Sequence, residues 1–157
     1  MNPASIADIL ESSTIEKLRT AYGNGDVMTK ALSAALPALY PATQPYIDAI
    51  GDALYPLQGA KPVPLAAAER ERCLVTLLAS RGAKRNLAIH VYMALMERIP
   101  ATEICHILLL VGAYAGVESL ANGLATAKTT FETLATVAGG ASYGPVDVLK
   151  ALAVLPM

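Results

Sequence analysis

The chain has 157 residues, 54% of them hydrophobic and 16% charged, with a formal net charge of -1. That length suits one domain with a sizeable core. The near-neutral charge and a sequence pI of about 6.1 leave no electrostatic footprint for nucleic acid.

In chain order, Ser5 with Asp8 and Ser13 with Glu16 have the spacing of N-terminal capping boxes and predict helices over residues 6–11 and 14–22. Gly23-Asn24-Gly25 breaks the chain, Asp26 caps a helix through Leu36, and Pro37 stops it. Thr43 caps another, with Pro45 in its first turn and Pro56 beyond its end. Residues 1–56 thus read as a helical cover. Residues 56–64 hold three prolines and a glycine and read as an irregular connector rather than a domain boundary.

The core is expected from four helices over residues 65–80, 84–97, 102–115 and 118–137. Gly139-Gly140 and Gly144-Pro145 then bracket a loop, and a last short helix follows over residues 146–155. All nine expected elements are helical. The reading is one all-α domain over residues 1–157.

Three polar residues stand out on the core helices. Residues 67, 71, 74 and 78 share a helical face, so Glu71 sits on a stripe with Ala67, Leu74 and Leu78 and points toward the core. Burial raises a carboxyl pKa unless a cation or donors compensate, so such a group is either paired, with Arg70, Arg72, Arg85 or His90, or poised to carry a proton. His90 lies in a run that is apolar nearly all round, between Asn86 and Met96, and needs a hydrogen-bond partner there whether it is a core histidine or a catalytic one. His106 is the third. With Glu71 and His90 it has the right types for a metal site, but the wide separation along the chain is a weak signal.

Arg70, Arg72, Arg81, Lys84 and Arg85 surround the turn between the first two core helices. They form either a carboxylate-binding rim or a solvated face. Tyr92 and Tyr114 are at helical spacing and read as packing or as pocket lining. Cys73 and Cys105 are isolated and read as small buried hydrophobes.

The run Glu69-Arg70-Glu71-Arg72-Cys73-Leu74, then Leu87-Ala88-Ile89-His90, Ala94-Leu95, Thr102-Glu103-Ile104 and Ala113-Tyr114-Ala115-Gly116-Val117 resembles the carboxymuconolactone decarboxylase family. The resemblance covers roughly residues 60–135, within a core assigned to residues 60–138. It implies the all-helical fold shared with AhpD-like proteins, assembly as a homo-oligomeric trimer or hexamer, and Glu71 and His90 as site residues. Three departures accompany it. The thiol-active branch carries a CxxC pair where this chain has Ala83 and Asn86, so dithiol peroxidase chemistry lacks its nucleophile. Arg98 replaces the usual Gly before the third core helix, and Pro100 stands where a Thr is common. His106 stands where many relatives carry a Glu.

The function expected on this basis is a cofactor-free, decarboxylase-like lyase or isomerase acting on a small carboxylated lactone or β-keto acid. In it, His90 is the general acid/base, Glu71 sets its tautomer, and Arg85, His106 and Tyr114 contact the substrate. The alternative is a catalytically silent binding or scaffold protein in which Glu71 and His90 are a structural pair. The high apolar content predicts self-association. The longest uncharged core run, residues 104–117, is too short to span a bilayer, and the N-terminus lacks a signal-peptide pattern, so cytoplasmic residence without membrane attachment is expected.

Overall fold

The computed structural model describes residues 2–23 and 65–155. The helix expected from Asp26 through Leu36, the helix expected between Thr43 and Pro56, and the connector over residues 56–64 lie outside them. Among the described residues the elements are α1 (Pro3–Ala7), α2 (Ser12–Tyr22), α3 (Ala67–Ser80), α4 (Lys84–Met96), α5 (Ala101–Ala115), α6 (Val117–Ala138) and α7 (Pro145–Ala153), with no strand. None of these helices is long and apolar enough to cross a membrane.

Two helical hairpins, α3–α4 and α5–α6, make the centre, with α3 packed on α5 and α4 on α6. Around them, α1 lies against α5 and α6, α2 against α4 and α6, and α7 against α6 and α4. Tyr92, Leu95, Ile104, Leu108, Phe131 and Leu134 are essentially inaccessible at the junction of the hairpins. Burying a large apolar side chain stabilises by roughly 1.5–3 kcal/mol, so these residues carry much of the fold.

Local chemistry sets where the helices stop. At the end of α3, Gly82 has φ 65°, and the amides of Gly82 and Ala83 bond back to the carbonyls of Ala79 and Leu78. That is a Schellman closure with glycine in the left-handed position. The end of α4 repeats the pattern with the amides of Arg98 and Ile99 on Leu95 and Ala94, but here the left-handed residue is Arg98 at φ 64°. Ile99 is buried behind the turn. Between α5 and α6, Gly116 has φ 99°. Gly112 lets the two helices approach, since a Cβ there would lie 2.6 Å from the Leu120 Cβ.

Helix starts differ from both expected capping boxes. The first helix begins at Pro3 because the Asn2 side chain accepts the Ala4 amide at 3.1 Å, which leaves Ser5 inside the helix. The second begins at Ser12, so Ser13 lies inside it and its hydroxyl donates to Glu11, while Glu16 pairs with Arg19. The acidic half of a capping box does appear on α3 and α7. Glu69 accepts the Ala66 amide at 3.1 Å, and Asp147 accepts the Gly144 amide at 3.0 Å.

Candidate functional site

Glu71 and His90 face each other across the α3–α4 hairpin. The short turn at Arg81–Ala83 brings the two helices side by side, so residues far apart in sequence share one interhelical seam. His90 Nδ1 lies 2.8 Å from Glu71 Oε2. Glu71 is fully buried, whereas the His90 side chain retains 18% of its exposure. With Glu71 as a carboxylate, which only accepts, Nδ1 carries the hydrogen and Nε2 presents its lone pair away from the pair. No described residue bonds to Nε2.

Arg70 is the second partner of the carboxyl. Its Nε lies 3.4 Å from Glu71 Oε1, and the residue is itself buried. A buried carboxylate is tolerable only when paired in this way.

Two further groups, absent from the sequence reading, belong to the same cluster. Glu97 caps α4 two turns beyond His90 and is half-buried, and burial raises its carboxyl pKa, with Arg70 opposing and Glu71 adding to the rise. Tyr22, the last residue of α2, is 8% exposed. Burial, then the charges of Glu97 and Glu71, push its phenol up to about 12 against the opposing charge of Arg70, so it stays protonated across the physiological range. The Tyr22 ring stands edge-on to Tyr92, centroids 5.9 Å apart. No described residue forms a hydrogen bond with the Tyr22 hydroxyl. The Tyr92 hydroxyl, which is also buried, likewise has no hydrogen bond with a described residue. The signal that placed Tyr22 here, the docking of α2 on α4, is held by Arg19 Nε donating to the Leu95 carbonyl at 2.9 Å.

The remaining expected site residues lie elsewhere. Arg85 is exposed in the first turn of α4 and has no hydrogen bond or ion pair with a described residue. His106 is exposed on α5, and among the described residues no group of three His, Cys, Asp or Glu side chains is placed to hold a metal. Tyr114 is 91% exposed and lines a shallow apolar groove of about 320 Å3 between α3 and α5, together with Thr76, Ile107 and Leu110. α5 is apolar around most of its circumference, so the sequence did not distinguish its outer face from its inner one. Tyr92 is buried in the core. Of the basic cluster, Arg72 pairs with Glu103 of α5 at 2.6 Å and Arg81 is exposed at the end of α3. Cys105 is buried as expected, but Cys73 is exposed, because α3 turns Arg70, Glu71, Val75 and Ala79 inward and Cys73 falls on the opposite side.

Comparison with known protein families, curated proteins and solved structures finds no match to this chain.

Proposed function

We propose that the chain is a cofactor-free acid–base enzyme of the decarboxylase-like kind, with an AhpD-like fold, acting on a small β-keto acid or carboxylated lactone through His90. The observation that carries this reading is the 2.8 Å contact between His90 and a fully buried Glu71, with the imidazole itself still partly open. A buried carboxylate behind Nδ1 fixes that nitrogen as a donor, so the proton that the ring takes up and gives up is the one at Nε2.

In the proposed reaction the substrate carboxylate leaves as CO2, and the electron pair of the broken carbon–carbon bond passes into an enolate. His90 delivers one proton to the enolate carbon and is reprotonated from water. Atoms and charge balance without a metal or redox partner. Arg70, the guanidinium beside Glu71, is better placed than Arg85 to orient an anionic substrate toward this pair.

Self-association belongs to the same proposal. Leu77, Leu110, Tyr114 and Val117 are each more than half exposed on the α3 and α5–α6 side, a cost that a second copy of the chain would relieve. A trimer or hexamer is the expected assembly.

The experiment is CO2 release from a carboxymuconolactone-type substrate and from acetoacetate by wild type and His90→Gln, both confirmed folded. Release that depends on His90 supports the reading. Undiminished release by His90→Gln rejects it.

A further inference from the structure

We propose that the cleft between the α1–α2 joint and the α4–α5 turn binds a small zwitterion of the α-amino acid class, with its carboxylate on Arg98 and Arg19 and its ammonium on Asp8. The site is separate from the Glu71–His90 pair and does not depend on the acid–base reading above.

The turn after α4 supplies the first observation. Arg98 lines a cleft of about 620 Å3, within the range of roughly 300–1,000 Å3 found for small-molecule sites. It holds φ 64°, a strained conformation for a residue with a Cβ, whereas Gly82 fills the same position after α3 without strain. The Arg98 guanidinium has no hydrogen bond or ion pair with a described residue, so no contact within the described fold offsets that strain. An arginine kept where glycine would serve the turn better presents its charge to the cleft instead.

Arg19 lines the same cleft from α2. Its Nε donates to the Leu95 carbonyl at 2.9 Å, and the Arg98 amide donates to that same carbonyl at 3.2 Å. One backbone oxygen therefore fixes a guanidinium from α2 against the turn that carries Arg98. Glu16 holds one amino group of Arg19, and the other, Nη2, bonds to no described residue. Two guanidinium groups at one turn suit a carboxylate, which accepts from both.

The remaining charges select against a simple anion. Asp8, Glu11 and Glu16 line the cleft as well. Glu16 is paired with Arg19 and Glu11 accepts from the Ser13 hydroxyl, which leaves Asp8 exposed and without a partner among the described residues. A lone carboxylate would meet that charge unfavourably, and a lone amine would meet Arg98. A ligand carrying both groups complements both.

The test is thermal unfolding of wild type, Arg98→Gly and Asp8→Asn, titrated with free L-serine, L-leucine, L-glutamate and L-lysine and with the N-acetylated and carboxamide forms of each. Both variants should fold, since Arg98→Gly relieves the turn and the Asp8 carboxylate makes no bond in the described fold. At least one free amino acid is expected to raise the wild-type midpoint, and neither of its blocked forms to do so. Each variant should bind it about tenfold or more weakly. Failure of all four to protect the wild type overturns the proposal. So does equal protection by a blocked form, or undiminished protection of either variant. The blocked forms test the site on the wild type alone, whatever the variants do.

Discussion

His90 Nδ1 and Glu71 Oε2 meet at 2.8 Å across the α3–α4 seam, and the carboxyl behind that contact is completely withdrawn from solvent. The pair therefore bears on stability, independently of the proposed chemistry. His90→Gln keeps a side-chain N–H that can reach the carboxylate, and its unfolding free energy should stay close to wild type. His90→Leu removes the donor and leaves Arg70 to carry the charge, and should lose about 1–3 kcal/mol. Urea denaturation of the two variants side by side checks this, and equal loss in both would show that the contact adds nothing.

The left-handed residue after α4 gives a prediction independent of function. Arg98 holds φ 64° without the freedom of glycine, a conformation costing an ordinary residue roughly 1–2 kcal/mol. Arg98→Gly should raise stability by about 1 kcal/mol or less, since the gain is offset by the greater entropy of glycine in the unfolded chain. Gly82→Ala, at the equivalent place after α3, should lower it by about 1 kcal/mol although its Cβ meets open space. Opposite signs from two equivalent turns would confirm that backbone conformation alone is at work.

Close approach of α5 and α6 depends on Gly112. A methyl group there would lie 2.6 Å from the Leu120 Cβ, an atom fixed to its own helix backbone. Gly112→Ala should destabilise by about 1–3 kcal/mol, and Gly112→Ala with Leu120→Ala should recover part of the loss. Additive losses in the double variant would place the cause elsewhere.

The two thiols should behave differently. Cys73 is exposed, whereas burial raises the Cys105 thiol from 9.0 to about 11. Near neutral pH a maleimide should label one thiol per folded chain and both in denaturant. The folded state holds its Cys105 proton more tightly than the unfolded chain, so this contribution is intact below pH 9.0 and is lost between there and about 11. Cys105→Ala should flatten the fall in stability over that window.

The sequence made the two hairpins legible because their punctuation is local. Gly82, Pro100 and Gly116 each act on the turn they occupy, and the four core helices ended within two residues of expectation. The Glu71–His90 seam was legible because helical periodicity places Glu71 among apolar residues. Arg70 and Arg85 were not distinguishable in that way, since both flank the seam and only the register of α3 against α4 buries the first and exposes the second. Tyr22 carried no signal at all. Its place depends on how α2 docks on a helix that begins more than sixty positions later in the chain.

The Arg19 bond to the Leu95 carbonyl joins positions 76 residues apart, whereas each central hairpin is closed by a turn of a few residues. Local closures form quickly, and a distant one must first overcome the entropy of a long loop. The order of assembly follows: the hairpin brings Glu71 to His90 early, and Tyr22 arrives only when the amino-terminal segment docks. The same joint is the natural place for the native protein to breathe. Its hydrogens should exchange ahead of those in α4, and in a nascent chain the Glu71–His90 contact would form before Tyr22 takes its place against Tyr92.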